Sequence, residues 1–458
     1  MSLRQVVSRV KDSGFARAVG VLVGGTAIAH AITAGALPIV TRLYTPEDFT
    51  VLAVFSAVMS ILAVAMCLRY DVAIPLPESD EDGANLLALA IGVSFAIAAA
   101  IGVLVWMAPG WVARSMGRPA VEPHLWLLPI ALLLAGAYSA MQFWLVRRKR
   151  FPTLARMRVM QSVAASGTQI GMGLAHLTPL GLLLGQTINS GAACLGVVGQ
   201  IMRADRTLLR AVNLARVREL ARSYGQFPKF SAAEALANSA SIQLPLLLIA
   251  ILATGPEAGH VVLAMFVMQA PMALIGSAVS QVYLSRAADE HRAGRLAGFT
   301  VTVISGLARV GVGPLVFAGL VAPFLFEPVF GPDWQRAGVL VAWMTPWFVV
   351  HFIAAPVSMA LHVTGQQPMA LALQAGGLAV RTTAVAIAGA LPGAFVSEAY
   401  AVSGVVFYAA YLAVVVHAVG ARMVEIRRAL QQALLPSAAW AAGAIALAIA
   451  LGKVWQPL

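Results

Sequence analysis

The sequence predicts an all-α membrane protein that crosses the bilayer many times. Of its 458 residues, 60% are hydrophobic and 11% are charged, whereas soluble globular domains carry roughly 25% charged residues. So few charges cannot cover the water-facing surface of a soluble chain of this length, and the apolar excess must face lipid. The composition therefore excludes a soluble, nucleic-acid-binding or disordered protein.

The individual spans follow from the length of the apolar runs. A bilayer core about 30 Å thick is crossed by about 20 helical residues. Thirteen runs of that order, bounded by charges, prolines or glycines, predict spans at 18–41, 49–68, 84–108, 124–146, 159–177, 180–201, 231–253, 260–283, 298–322, 337–361, 369–391, 395–419 and 435–452. We therefore expect two six-helix lobes and one additional C-terminal helix.

The distribution of basic residues predicts the orientation. With the N-terminus in the cytoplasm, the inner segments hold twenty-four of the 31 Lys and Arg residues, the outer segments hold five, and two lie inside spans. Cytoplasmic loops carry such an excess in membrane proteins. The count predicts a multi-pass membrane protein with a cytoplasmic N-terminus.

The predicted domains are an N-terminal lobe over 1–201, a cytoplasmic linker over 202–230, a C-terminal lobe over 231–419 and an extra helical segment over 420–458. Leu and Val recur at helical spacing among the Arg residues of the linker, so it either lies on the anionic inner leaflet or is solvated. TPEDFTVLAVF and GPEAGHVVLAMF form a faint internal repeat, because each joins the first two helices of a lobe. A transporter built from two repeated lobes places its substrate path between them, around a central cavity.

Polar side chains inside the spans are the candidate substrate contacts. His30 lies on one face of the first span with Thr26 and Thr33, while Glu234 and Asn238 occupy the matching face of the seventh span and Gln269 lies in the eighth. Such groups cannot face hydrocarbon, so they either line a cavity or bond to neighbouring helices. We assign His30, Asn238 and Gln269 to substrate binding and Glu234 to ion coupling.

Two arginines inside spans suggest the charge of the substrate. Arg309 and Arg381 lie about 17 Å from the cytoplasmic ends of their spans, at about 1.5 Å per residue. Glu398 enters the twelfth span from the outer side, too far along the helix to pair directly with Arg381. A charge at that depth needs a partner or water, so the alternatives are backbone pairing and a hydrated cationic lumen. Guanidinium binds phosphate oxygens in pairs, and a phosphate-bearing substrate fits the second alternative.

Three charged residues near span ends are candidates for gating. Asp71 lies close to Arg69 at the inner end of the second span, where a carboxylate can pair and close an inward mouth; the alternative is a solvated loop acid. Arg42, at the outer end of the first span, is assigned to gating with them.

Four stretches carry a family resemblance. They are GGTAIAHAITAGALPIVTRLYTPEDFTVLAVF with the following LRYDVAIPLPESDEDGANLLALA, YGQFPKF, PEAGHVVLAMFVMQAPMALIGSAVSQVYLSRAAD and VFGPDWQRAG. Together they resemble the Wzx-type oligosaccharide flippases of the multidrug/oligosaccharidyl-lipid/polysaccharide exporter superfamily. The resemblance covers about residues 18–340 well and the remainder mainly by helix count.

The resemblance implies a flippase that moves undecaprenyl-pyrophosphate-linked oligosaccharides from the cytoplasmic to the periplasmic leaflet by alternating access. It also implies that the protein acts together with glycosyltransferases, a polymerase and a chain-length regulator in surface polysaccharide synthesis. The alternatives are an ion-coupled exporter of the same fold, for which acids would line the lumen, and a membrane-embedded polymerase or ligase. We expect that the protein is not an enzyme and binds no cofactor, since the sequence has no metal-binding spacing, phosphate-binding loop or nucleophile motif.

Overall fold

The structure is a computed structural model that describes residues 14–253, 255–272, 276–391 and 395–450. These ranges contain helices joined by turns and no β-strand. Eleven helices within them are long and apolar enough to cross a membrane. The predicted all-α, polytopic fold class is confirmed.

The first part of the chain forms twelve α-helices within the described ranges. In chain order they are α1 (Gly14–Leu43), α2 (Pro46–Ala63), α3 (Tyr70–Ala73), α4 (Asp80–Met107), α5 (Pro109–Ser115), α6 (Leu127–Arg147), α7 (Phe151–Leu174), α8 (Leu180–Gly191), α9 (Ala193–Ala204), α10 (Arg206–Arg210), α11 (Leu214–Ser223) and α12 (Ala232–Leu252). A 3-10 helix spans Pro119–His124 and a π-helix spans Phe227–Ser231.

The remaining α-helices of the described residues follow. They are α13 (Glu257–Pro271), α14 (Ser277–Arg292), α15 (Leu296–Phe330), α16 (Gln335–Val357), α17 (Ala360–Val363), α18 (Gln367–Ala390), α19 (Val396–Ala418) and α20 (Met423–Ala450), with a 3-10 helix at Pro332–Trp334. The last predicted run, 435–452, lies in α20 as far as residue 450, and its final two residues lie outside the described ranges. Because α20 begins at Met423, it also includes the polar residues that precede that run.

Local sequence explains where several helices begin. At the start of α2, the Asp48 carboxylate accepts hydrogen bonds from the backbone N–H and the hydroxyl of Thr45, both at 2.9 Å, and Pro46 occupies the first turn. This is the reciprocal capping arrangement that satisfies free N–H groups at a helix start. At the start of α4, the Ser79 hydroxyl accepts from the backbone N–H of Asp82 at 3.0 Å.

Among the predicted spans that differ from the helices observed, two change the positions of charged residues. The second span, predicted over 49–68, ends as an α-helix at Ala63 and continues in turns, with positive φ at Leu68 (44°) and Arg69 (62°). The fifth, predicted over 159–177, belongs to α7, which begins at Phe151. Arg156 and Arg158, which the charge count places in a loop, therefore lie in a helix.

The chain divides into two compact units. The first contains the described residues up to Tyr44 together with Val51–Gln243, and the second contains Thr45–Thr50 together with the described residues from Leu244 onward. The division thus falls inside α2 and inside α12. The predicted linker 202–230 lies wholly in the first unit.

The segment 202–230 is packed against the rest of the first unit. Arg216 on α11 bonds to both carboxylate oxygens of Asp82 on α4 at 2.7 Å, and the Asn213 N–H donates to the Asn85 side chain at 2.9 Å. Tyr70 donates its hydroxyl to the carbonyl of Ala221 at 3.1 Å, and Leu220 is buried in the core. This segment is therefore not a purely solvated linker.

The two copies of the internal repeat contact each other within the second unit. The backbone N–H of Gly259 donates to the Thr50 hydroxyl at 3.0 Å. Trp334, which lies outside the repeat, meets Phe49 of the first copy and His260 of the second copy edge to face, with ring centroids 4.7 and 5.8 Å apart. A β-carbon on Gly259 would overlap the carbonyl oxygen of Pro46. The close approach of two backbones therefore requires glycine at this position.

Replacing Gly259 with alanine is expected to destabilise the protein by about 1–3 kcal/mol, the usual range for overpacking a tight contact. The obstacle is a backbone oxygen, which cannot move by changing rotamer. Thermal unfolding of the purified protein measures the effect. Gly298→Ala, at an exposed position of α15 with open space around it, is the matched control, since alanine there is neutral or favourable for the helix. Equal melting temperatures for the two variants would contradict the prediction.

Candidate substrate-binding site

The Arg381 side chain lies buried among aromatic rings in the second unit. The residue, on α18, is 5% exposed. Its guanidinium carbon lies 4.7 Å from the ring centroid of Trp347 on α16 and 4.6 Å from that of Tyr400 on α19. Aromatic faces attract cations at such distances, so two helices hold the arginine in place through their rings.

No acidic side chain neutralises Arg381 among the described residues. Glu398, the acid nearest to it in sequence, instead accepts a hydrogen bond from Arg336 at 2.6 Å. This confirms the expectation that Glu398 does not pair with Arg381. Since a buried charge without a counter-ion is costly, the contacts that stabilise the positive charge of Arg381 in the described structure are the faces of Trp347 and Tyr400.

Several buried polar groups around Arg381 have no hydrogen-bond partner in the described structure. They are the Arg381 Nε, the Trp347 indole Nε1, the Tyr400 hydroxyl and the His351 Nδ1. The His351 ring stacks on Tyr408 with centroids 4.1 Å apart, and Tyr408 also stacks on Trp347. Most of these groups are donors. We name Arg381, Trp347, His351 and Tyr400 the donor cluster, an environment suited to an oxyanion.

Arg309, the other predicted substrate arginine, has different surroundings. It is exposed on α15 and donates a hydrogen bond to the side-chain oxygen of Gln432 on α20. The structure therefore gives Arg309 a neutral side-chain partner rather than a backbone carbonyl. The sequence prediction lacked this partner because it began the last helix at residue 435.

The predicted polar face of α1 is partly engaged by α7. Thr26 accepts a hydrogen bond from Arg158 Nη1 at 2.5 Å, and the hydroxyls of Thr33 and Ser162 are 2.7 Å apart. His30 is exposed on the same helix. For the two threonines the structure shows helix-to-helix hydrogen bonding.

Arg158 is a candidate that the sequence analysis missed. It is half-buried on α7, and no carboxylate pairs with it among the described residues. The predicted span began one residue after it, so it was counted with the loop. The Phe151-Pro152 pair was the available signal, because proline is favoured in the first turn of a helix.

The predicted residues of the seventh and eighth spans lie on exposed surfaces of their own helices. Glu234 and Asn238 are exposed on α12, and Gln269 is exposed on α13. The carbonyl of Asn238 accepts from the Ser241 hydroxyl at 2.7 Å. None of the three contacts the donor cluster through a hydrogen bond in the described structure, so the predicted binding residues do not form one bonded site.

The predicted gating pair is not formed. Asp71 is 3% exposed and accepts a hydrogen bond from Ser139 on α6 at 2.5 Å, so neither the pairing with Arg69 nor the alternative of a solvated loop acid is correct. The physical reason is the backbone turn at Leu68 and Arg69, which interrupts the helix just before Asp71. Arg42 is exposed in the last turn of α1.

Apart from the donor cluster, the second unit contains an ionic cluster that connects the first turns of α13, α16 and α19. Arg336, counted among the outer loop residues in the sequence, donates to Glu257 at 2.7 Å and to Glu398 at 2.6 Å. The His260 Nε2 lies 3.0 Å from the carbonyl oxygen of Asp333. Carboxylates in the first turns of α13 and α19 are also favoured by the helix dipoles. Both glutamates are thus paired with Arg336, while the Glu398 Oε2 is buried without a hydrogen-bond partner in the described structure.

Comparisons with solved structures identify the fold. A structure titled lipid II flippase MurJ, inward closed conformation, has 11% sequence identity, a TM-score of 0.67, and coverage of 94% of this chain and 96% of that one. A multidrug resistance transporter of the MATE family, in an inward-facing conformation, has 15% identity, a TM-score of 0.60, and coverage of 85% and 94%. At these identities the likeness establishes a shared fold.

Sequence comparisons identify the family. The uncharacterized protein Rv1510 of Mycobacterium tuberculosis is 34% identical over 122 residues, which span 26% of this chain and 26% of that protein. A family model described as polysaccharide biosynthesis protein matches residues 39–338, well over half of the chain. This match confirms the resemblance inferred from the sequence, and the chain, a multi-pass membrane protein, belongs to the family of polysaccharide biosynthesis proteins.

Proposed function

We propose that the protein is a flippase that moves undecaprenyl-pyrophosphate-linked oligosaccharide repeat units from the cytoplasmic to the periplasmic leaflet for surface polysaccharide synthesis. Its membership of the polysaccharide biosynthesis family supports the pathway, and the fold that it shares with transporters supports movement by alternating access. The membrane is the bacterial inner membrane, with the N-terminus in the cytoplasm.

The observation that carries the proposal is the uncompensated charge of Arg381. A transporter for neutral sugars has no need of a buried cation, whereas the pyrophosphate of a lipid-linked sugar carries negative charge that a guanidinium can bind in pairs of hydrogen bonds. The rings of Trp347 and Tyr400 hold the guanidinium, and its Nε has no hydrogen-bond partner in the described structure, so it can donate to a phosphate oxygen. Arg309 is a second cation of the same unit that the headgroup can meet during transport.

Exposed polar residues supply the remaining contacts. His30, Asn238 and Gln269 offer donors and acceptors to sugar hydroxyls, and the exposed Glu234 is the candidate for ion coupling. The polyprenyl chain needs no polar site, because it is as apolar as the bilayer interior. Glycosyltransferases, a polymerase and a chain-length regulator are the expected partners of such a flippase.

An ion-coupled exporter of small molecules is the second candidate. The likeness to the multidrug transporter structure favours it, with a TM-score of 0.60. Cationic drugs would require acids at the substrate site, whereas the donor cluster contains a buried arginine, and Glu257 and Glu398 of the same unit are both bound to Arg336. The charge of the donor cluster therefore favours an anionic substrate.

Deletion of the gene in its host tests the proposal. We expect loss of surface polysaccharide and accumulation of the lipid-linked repeat unit in the cytoplasmic leaflet, both restored by the wild-type gene. Accumulation separates a transport defect from a synthesis defect, because a failed glycosyltransferase leaves no completed repeat unit. Normal surface polysaccharide in the deletion strain, or unchanged polysaccharide with altered drug resistance, would contradict the proposal.

A further inference from the structure

A groove lies on the surface of the first unit between α7 and α9. Arg150, directly before α7, donates to Asp205, directly after α9, at 2.9 and 2.8 Å, so the start of α7 lies beside the end of α9. Farther along α7, the Met160 Cε lies 3.8 Å from the position that a β-carbon on Gly196 of α9 would take. Both contact residues are roughly 14 Å along their helices from the ion pair, at about 1.5 Å per residue. The two helices therefore run antiparallel side by side.

The α9 side of this groove contains a cavity of about 620 Å³. Its lining residues recur at helical spacing and share one face of α9; they are Gly196, Gly199, Gln200, Arg203 and Ala204. A β-carbon on Gly199 would meet no atom of the described structure within 4 Å. The apolar side chains beside the cavity, Leu195 on α9 and Met160 and Val163 on α7, are exposed. An apolar chain can therefore lie in the groove without displacing a side chain.

Two arginines flank the end of the groove that is nearest to the ion pair. Arg156 lies one helical turn before Met160 on α7, and Arg203 lies two turns after Gly196 on α9, and both are exposed. The apolar span that includes α9 ends at Ile201, so Arg203 lies where the hydrocarbon of a bilayer gives way to its headgroups. The groove is thus apolar along its length and cationic at one end.

The buried acid next to this end is engaged by other arginines. Asp205 is bound to Arg150 at 2.8 Å, and Arg148 lies 3.5 Å from it. In the part of the chain that the structure describes, no carboxylate pairs with Arg156 or Arg203. The positive charge at the groove is therefore open to an anion from outside the chain.

We propose that this groove binds one anionic phospholipid of the surrounding leaflet. The guanidinium groups of Arg156 and Arg203 bind the phosphate of its headgroup, and one acyl chain lies against Gly196 and Gly199. A net negative headgroup is favoured over a zwitterionic one, whose ammonium group the two arginines repel. Gln200 is the one neutral hydrogen-bonding side chain of the lining, which favours a phospholipid over a lipid that carries an oligosaccharide. The site does not depend on the proposed flippase function, because the bound phospholipid is not transported.

Native mass spectrometry of the purified, delipidated full-length protein tests the site. The protein is titrated separately with phosphatidylglycerol, with phosphatidylcholine that has the same acyl chains, and with undecaprenyl pyrophosphate. We expect the first phosphatidylglycerol to bind at least about tenfold more tightly than the first phosphatidylcholine, because charge-assisted hydrogen bonds hold its phosphate. The double variant Arg156→Gln, Arg203→Gln should lose this preference, whereas Arg218→Gln, at an exposed position of α11, should keep it.

A second variant tests the apolar part of the groove without changing any charge. Gly199→Leu fills the cavity and should weaken the binding of phosphatidylglycerol several-fold. Gly376→Leu, at an exposed position of α18 with open space around it, is the matched control and should bind like the wild type. Equal binding of the two phospholipids, a preference that survives the double variant, or unchanged binding by Gly199→Leu would overturn the proposal. Tighter binding of undecaprenyl pyrophosphate than of phosphatidylglycerol, lost in the same variants, would also overturn it by assigning the groove to the polyprenyl lipid.

Discussion

The Arg381→Ala variant is expected to flip lipid-linked oligosaccharide about tenfold to a hundredfold more slowly than the wild type. Hydrogen bonds to charged groups contribute about 1.5–3 kcal/mol each, and about 1.4 kcal/mol corresponds to a factor of ten. Among the residues that the structure describes, no acid pairs with the buried guanidinium, and Glu398 is bound to Arg336, so removal of the guanidinium takes away attraction for the substrate without stranding a partner charge. The rate is measured in proteoliposomes with a fluorescent lipid-linked oligosaccharide and a membrane-impermeant quencher.

The Arg381→Lys variant is the matched comparison. Lysine keeps the charge but loses the planar fork that stacks between Trp347 and Tyr400 and binds oxygens in pairs. We expect a rate between those of wild type and alanine, with all three proteins present in the membrane at equal levels. Wild-type flipping by the alanine variant would remove Arg381 from the substrate site.

The Asp205→Ala variant is expected to lose about 1–3 kcal/mol of stability, the usual cost of leaving buried hydrogen-bonding groups without their partner. Asp205 is 1% exposed. It accepts from the Trp144 indole at 3.1 Å and from two nitrogens of Arg150 at 2.9 and 2.8 Å, and Arg148 lies 3.5 Å away. One carboxylate thus joins the end of α6, the start of α7 and the segment after α9.

Thermal unfolding in detergent checks this prediction, with Glu219→Ala as its control. Glu219 also pairs with an arginine, Arg216 at 2.8 Å, but its side chain is 62% exposed, and exposed pairs contribute about 0–1 kcal/mol. The Asp205 variant should therefore melt below the Glu219 variant. Similar melting temperatures would mean that the buried network does not stabilise the first unit.

The membrane fold could be predicted from the sequence because membrane spans are indicated by continuous runs of apolar residues along the chain. Apolar runs of sufficient length predicted helices that the structure contains, and the final run lies in α20. Polar residues at span ends were harder to place. Arg158 was assigned to a loop because a charge normally ends an apolar run, whereas here the Thr26 hydroxyl accepts its hydrogen bond within the helix pair.

The surroundings of the buried charges could not be predicted, because they depend on residues far away in the chain. The positions of Arg381 and Glu398 along their spans correctly indicated that the two residues do not pair. Trp347 and Tyr400, however, become neighbours of Arg381 only when α16, α18 and α19 pack together. The family match ends at residue 338, before all three of these residues. The match to the family model therefore carries no information on Trp347, Arg381 or Tyr400.

Asp71 shows the same limit at shorter range. Its neighbour Arg69 was the obvious partner in sequence, yet the positive φ of Leu68 and Arg69 interrupts the helix between α2 and α3, and Ser139 from α6 takes the hydrogen bond. Side chains two residues apart do not face each other on a regular helix, and nothing in the composition of the segment indicated that the helix would break.

The relative flipping rates of two lipids test the role of the buried cation most directly. The lipids share the polyprenyl chain and the oligosaccharide, but only one contains the pyrophosphate. In proteoliposomes, we expect the wild-type protein to flip the pyrophosphate lipid at least about tenfold faster than the neutral one, and Arg381→Ala to abolish that difference. Equal rates for both lipids with the wild-type protein would contradict the assignment of the donor cluster to the headgroup.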